Sequence, residues 1–206
     1  MNPTNTGLPF HSFERIATAN HGIVCSSQPL ASEAGLTMLK AGGNAFDAGL
    51  AAAAVLAVVE PAASHLGGDV FVVCHAAQDG RAYAVNGSGG APQQATAAQF
   101  PNGIPLRGPR NVTVPGAVAA WCDVSHRWGS LPLGDVLAAA IDYARIGFPL
   151  GHRMATQLAE NREVLVRYSD SRAQFVDGNL SMGAIVQQPH LAATLEAIAD
   201  QGAAGF

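Results

Sequence analysis

Residues 32–73 read SEAGLTMLKAGGNAFDAGLAAAAVLAVVEPAASHLGGDVFVV. They spell a helix stopped by a glycine pair, a second and almost purely apolar helix, a Glu-Pro break, a glycine-rich corner and a strand. Ser32 is placed to cap the first helix, Leu36, Leu39 and Lys40 continue it, and Gly42-Gly43 offer the left-handed backbone that ends helices. Asn44 is a good N-cap for the next helix. Asp47 stands three residues on, where a carboxylate favours the unpaired amides and the positive end of the helix dipole. Residues 48–59 carry no charge, so this helix has no face for water and is expected to be enclosed on all sides. Pro61 ends it, because the residue before proline avoids the helical region and proline gives no amide to the ladder.

Composition points to a covered surface. At 206 residues and 49% apolar content the chain has material for one good-sized core. Only 13% of its residues are charged, against roughly 25% in ordinary soluble domains. A free-standing globule of this kind would show water a broad alanine-rich surface, so further protein is expected to cover part of it. Phe206, apolar and last in the chain, agrees with that expectation. A net charge of -4 leaves no basic stripe for nucleic acid. The start, MNPTNTGLPFHSFER, has neither a basic nor an apolar leader segment, which predicts a cytoplasmic protein. The longest apolar run falls short of the ~20 residues a spanning helix needs. Cys25, Cys74 and Cys122 are widely spaced and read as small core residues in a reducing compartment.

Outward from the central stretch, residues 1–21 are polar, broken by Pro3 and Pro9, and read as a loose arm. Residues 22–27, GIVCSS, read as a short strand. Residues 69–75 and 81–85 read as an antiparallel hairpin turning at Gln78-Asp79-Gly80, with Phe71, Val73, Tyr83 and Val85 as its apolar positions. The loop NGSGGAP at 86–92 lets backbone approach a ligand or another chain closely. Pro101, Pro105 and Pro109 mark an irregular surface connection, followed by an extended piece at 111–114. Pro115-Gly116 opens a helix to about Trp128 with Val118, Cys122 and His126 on one face. Further helices are expected at 133–146, 152–163 and 189–201, with a hairpin-like segment at 174–186. The fold class is α/β (α+β): an arm at 1–21, a helix and strand portion at 22–115 and a mainly helical portion at 116–206.

Spacing alone exposes no active site. Gly42-Gly43-Asn44 follows a helix and lacks the Lys-Ser/Thr pair of a phosphate loop. His65-Leu66-Gly67-Gly68 faintly echoes the oxyanion glycines of esterases, yet no G-x-S-x-G accompanies it, which favours a tight turn. His65, His75, His126, His152 and His190 are scattered, none at i, i+4 from another, so neither metal nor cofactor is implied. Asp47 and Asp69 read as a helix cap and a turn acceptor. No serine, cysteine or threonine has a defensible histidine base.

The ordered set of motifs resembles the gamma-glutamyltranspeptidase family of N-terminal nucleophile hydrolases. The residues that carry the resemblance are Gly22-Ile23-Val24 with Ser27, Ala31-Ser32, Gly35, Leu39, Gly42-Gly43-Asn44-Ala45, Asp47-Ala48 and Val59-Glu60-Pro61. Farther along come Gly67-Gly68, Phe71, Ala91-Pro92, Val114-Pro115-Gly116, Trp128-Gly129, Ala144, Gly147-Phe148 and residues 195–206. GGNAxDA, VEP, GG, AP and VPG in this order and at these separations are specific.

The resemblance implies part of a four-layer αββα sandwich, made as one precursor that cuts itself into a large and a small subunit. This chain then reads as the beginning of the large subunit, with the small subunit as its partner. The family's nucleophile is a threonine freed at the start of the small subunit, whose own α-amine serves as base. That residue would lie beyond Phe206, so no catalytic residue is assigned here. Gamma-glutamyl enzymes carry an arginine-glutamate pair just before Ala-Pro, where the arginine grips the donor's α-carboxylate. Ser88 and Gly89 stand there in this chain and are the candidate substrate-binding residues. Arg81, Arg107 and Arg110 are the nearby candidates to replace the missing guanidinium. The expected activity is cleavage or transfer of gamma-glutamyl amides, as in glutathione hydrolysis. One alternative is hydrolysis of a small acid amide, as in the oxamate amidohydrolase and cephalosporin acylase branch. The other is a non-catalytic scaffold.

Overall fold

In chain order the helices α1 (Pro29–Lys40) and α2 (Ala45–Val59) precede a hairpin of β1 (Phe71–Ala76) and β2 (Arg81–Asn86). This computed structural model describes residues 17–206, so most of the expected N-terminal arm lies outside the described residues. After two single turns of 3₁₀ helix come α3 (Ala117–Trp128), α4 (Leu133–Ile146), β3 (Phe148–Pro149), α5 (His152–Glu160), α6 (Arg162–Leu165), α7 (Ser169–Phe175), β4 (Ile185–Val186) and α8 (Pro189–Gln201). None of these helices is long and apolar enough to cross a membrane.

The apolar helix α2 is the centre of the core. Ala48, Leu50, Ala51, Ala54, Val55, Val58 and Val59 are buried against α1, α3 and α4. At its end the buried Gln188 side chain donates to the Val58 carbonyl at 2.7 Å and so fastens the start of α8 to it. Enclosure is incomplete, however. Ala45 and Gly49 are exposed and Phe46, Ala53 and Leu56 half-buried, so a narrow stripe of α2 stays open, contrary to the expectation of burial all round.

Asp47 pins the start of this helix. Asn44 Oδ1 caps α2 by accepting from the Phe46 amide at 2.8 Å and the Asp47 amide at 3.2 Å, and the Asn44 amide donates in return to Asp47 Oδ2 at 2.8 Å, the Asn44–Asp47 exchange being the reciprocal pair of a capping box. The Asp47 carboxylate is fully buried and also accepts from the Ser130 amide at 3.1 Å and the Leu131 amide at 3.4 Å. Asn44 Nδ2 adds a bond to the Trp128 carbonyl at 2.6 Å. Asn44 thus satisfies the first amides of the helix, while Asp47 takes the Asn44 amide and holds the loop between α3 and α4 against it. Gly42, with φ of +90°, makes the sharp reversal before it.

Several local expectations are corrected. α1 begins at Pro29 under a Gln28 cap, because proline at the first helical position needs no amide partner and Gln28 Oε1 accepts from Leu30. Ser32 lies inside the helix and bonds Ser26 Oγ at 2.7 Å. Residues 22–27 pair with no strand among the described residues. In the hairpin, Val72, Cys74, Tyr83 and Val85 face the core, while Phe71 and Val73 are 69% and 86% exposed on the outer face. α3 buries Val118, Trp121, Val124 and Trp128, leaving His126 in solvent, because its large apolar residues recur three and four apart along that other stripe. The segment 152–163 breaks at Asn161 into α5 and α6. The stretch 174–186 forms no hairpin of its own: Phe175 ends α7, and β4 pairs with β3, Phe148 opposite Val186. Cys25 is exposed and Cys74 and Cys122 only half-buried, so the thiols are not the fully enclosed core residues expected.

An aromatic stack ties the layers together. Trp128 lies 5.3 Å from Phe46 and 5.2 Å from Tyr83, ring centre to ring centre, with the Arg127 guanidinium 4.2 Å above it. The Tyr83 hydroxyl donates to Asp79 at the hairpin turn, and that bond holds the Asp79 carboxyl below its ordinary range and the Tyr83 phenol above its own. Replacing Asp47 with alanine would strand three amides in the interior, and a loss of about 3 kcal/mol in stability is expected by chemical denaturation. A loss under about 1 kcal/mol would show that water can enter and serve them.

Candidate functional site

Three short glycine segments, far apart in sequence, meet at the end of the hairpin away from its turn. The Gly87 amide donates to the Val70 carbonyl at 2.8 Å, extending the hairpin by one rung beyond β1 and β2. The Gly116 and Ala117 amides, at the start of α3, donate to the Gly68 carbonyl at 3.1 and 3.0 Å. The Val114 amide donates to the Gly90 carbonyl at 3.0 Å. Residues 67–69, 87–91 and 114–116 thus form one backbone junction.

Side chains are excluded from that junction by space. A Cβ on Gly89 would run into the Val114 carbonyl, and one on Gly116 into the Gly87 carbonyl. A Cβ on Gly87 would sit 2.6 Å from that of Ala120, closer than real Cβ atoms come. Gly90, by contrast, has open space where its Cβ would be. The motifs GG, the glycine-rich loop before AP, and VPG are therefore three walls of one construction.

Ser88 and Gly89, the candidate substrate-binding residues, lie on its rim. Ser88 is exposed, and its amide donates to Asn86 Oδ1 at 3.0 Å. The Gly89 amide donates to Asp69 Oδ1 at 3.1 Å. Asp69 is thus an acceptor across the junction, twenty residues from its donor, and more than the local turn acceptor expected from sequence. Of the candidate arginines, Arg81 starts β2 at the hairpin turn, roughly 20 Å of strand away from Ser88. Arg110 lines a pocket of about 400 Å³ that opens beside Ala91 and Pro92. Arg107 is not among that pocket's lining residues.

A second hollow runs along β1. It has a volume of about 400 Å³ and is walled by residues 70–75, by Ala45, Phe46, Gly49 and Ala53 of the open stripe on α2, and by Trp121 and Val124. Among the described residues β1 pairs only with β2, so its other backbone edge faces this groove unpaired. Trp121 is 5% exposed, and its indole N–H has no acceptor among the described residues. Sequence could place Trp121 on a helix; it could not show that its polar atom would be left over. No cluster of three metal-ligating side chains occurs among the described residues.

The family model for gamma-glutamyltranspeptidase matches residues 31–206. The chain belongs to that family. It is 37% identical over 189 residues to the glutathione hydrolase-like YwrD proenzyme of Bacillus subtilis, covering 89% of this chain and 36% of that protein. It is 35% identical over 203 residues to the oxamate amidohydrolase proenzyme of Klebsiella pneumoniae, covering 91% of this chain and 37% of that one. The solved gamma-glutamyltranspeptidase of Helicobacter pylori superposes with a TM-score of 0.88 at 36% identity, over 93% of this chain and 57% of that one. The chain spans little more than a third of the length of these two curated relatives.

The junction makes a sharp prediction for two neighbouring glycines. Gly89→Ala must displace the backbone at Val114 and should lower stability by about 1–3 kcal/mol. Gly90→Ala has room and should stay within about 0.5 kcal/mol of the parent. Denaturation midpoints of the two variants check this, and equal effects would contradict the packing described.

Proposed function

We propose that this chain forms the first part of the large subunit of a self-processing amidase of the gamma-glutamyl class. The full protein would cleave an amide, or pass its acyl group to an amine, as in glutathione hydrolysis. The observation that carries the reading is the glycine junction, where three motifs of the family converge on the position of Ser88 and Gly89. The expected nucleophile is a threonine in the chain after residue 206. Its hydroxyl oxygen attacks the amide carbonyl while its α-amine takes the hydroxyl proton. The C–N bond breaks, the proton leaves with the amine, and an ester remains. Water then adds to the ester carbonyl, releases the acid and restores the hydroxyl.

The same reading includes the four-layer αββα sandwich and a small subunit as partner. Three features support a cover over this chain's sheet: the apolar outer face of Phe71 and Val73, the unpaired edge of β1, and the Trp121 N–H without an acceptor. Strands from the small subunit laid on that edge and face would supply all three.

A second reading, hydrolysis of a small acid amide, is favoured by one observation. Where the family resemblance puts an arginine there is Ser88, and beside it the Asp69 carboxylate holds the Gly89 amide. A gamma-glutamyl α-carboxylate placed there would meet a negative group and no guanidinium, whereas a smaller acid amide need not set its carboxylate at Ser88.

Expression of the full-length precursor tests both. Self-cleavage into two chains and hydrolysis of gamma-glutamyl-p-nitroanilide with a high KM are expected. Ser88→Arg should lower that KM by roughly tenfold or more. An intact, inactive precursor would leave only the scaffold alternative. A low KM in the parent, unmoved by Ser88→Arg, would contradict the role given to this position.

A further inference from the structure

The pocket beside Ala91 and Pro92 has a property that the motif residues do not share. Its lining comes from residues 91–104 on one side and from Arg110, Asn111, Val112 and Thr113 on the other. Those two sides are the chains that leave the junction after the bond between the Gly90 carbonyl and the Val114 amide. The pocket and the rim at Ser88 are therefore the two ends of one short loop, Ser88 to Pro92. Most of the lining is apolar, with Ala91, Pro92, Phe100, Ile104 and Val112 prominent, and Arg110 is its only charged side chain.

Arg110 is held in place. Its guanidinium lies 4.8 Å from the centre of the Phe100 ring, and one amino group donates to the Gln99 carbonyl. Asn111 Nδ2 closes the loop behind it by donating to the Leu106 carbonyl at 2.8 Å, and Gly108, with φ of +96°, makes the turn into the 3₁₀ segment Pro109–Asn111. A guanidinium braced on an aromatic face keeps its planar fork oriented, and the bond to Gln99 leaves other N–H donors of that fork free for an anion.

We propose that Arg110 binds the carboxylate of the acyl donor, replacing from across the Ala91–Pro92 turn the cation that Ser88 cannot supply. The preferred donor is then a monoamide of a short dicarboxylic acid. Its carboxylate lies toward Arg110, its methylenes against Pro92 and Val112, and its amide toward the junction. The inference rests on the amidase reading above and names that site's substrate class.

The test uses the processed full-length enzyme and a donor pair, succinamic acid and its methyl ester. The parent should favour the acid in kcat/KM by roughly tenfold or more. Arg110→Ala should raise KM for the acid by roughly 10–100-fold, leave kcat within about twofold, and leave the ester unaffected. Arg110→Lys should recover part of the preference, and Arg107→Ala should behave as the parent. Self-cleavage and thermal unfolding of Arg110→Ala report whether the loop still folds. An acid preference that survives Arg110→Ala, or no preference in the parent, overturns the proposal. If the parent cleaves neither donor, the amidase reading fails separately and calorimetry with succinamic acid decides. Heat of binding that disappears in Arg110→Ala upholds the anion site, and no binding to the parent removes it.

Discussion

An apolar helix of 15 residues, α2, has to be walled in before anything else in this chain can stand. Its burial against α1, α3 and α4 supplies the core, but its N-terminus brings unpaired amides into the same interior. Asn44 and Asp47 answer that need together. Asn44 Oδ1 takes the Phe46 and Asp47 amides of the helix start, and the fully buried Asp47 carboxylate takes the Asn44 amide and those of Ser130 and Leu131, which ties the α3–α4 loop to α2. The stripe of Ala45, Gly49 and Ala53 left open on α2 is then the measure of what the chain cannot enclose by itself.

Position flows from that core to the site. α3 is held by Trp128 in the aromatic stack and by its bonded N-terminus at Gly68, and the hairpin lies across α2 and α3. The junction of residues 67–69, 87–91 and 114–116 is where hairpin and helix meet backbone to backbone. Contact at that distance forbids side chains, which is why glycine recurs there. The corner leaves Ser88 exposed at its rim, where the Asp69 carboxylate accepts from the Gly89 amide.

Much of this was legible in the sequence because the deciding signals are local. The Asn44 cap, the acid at Asp47, the stop at Pro61, the bounds of α4 and α8 and the hairpin itself follow from residues within a turn or a strand of one another. The motif order also pointed to the family that the comparisons show. What could not be read is relational. Alternation in the hairpin allows either set of apolar residues to face inward, and because β1 is apolar on both faces, its pattern does not tell that Val72 and Cys74 face the core while Phe71 and Val73 face outward. Apolar residues on both faces of a strand are the mark of a sheet covered from two sides. The bond from Gly89 to Asp69 and the pocket of Arg110 depend on segments about twenty residues apart coming together, and no periodicity encodes that.

The most direct test of this account is residue-resolved hydrogen exchange over β1 in the folded full-length protein. An edge strand protects alternate amides, those that face its one neighbour, whereas a strand paired on both edges protects every one. Slow exchange at all amides from Phe71 to Ala76 is the predicted result. Fast exchange at alternate positions would show that the open edge stays in water, and would contradict a sheet completed by the rest of the protein.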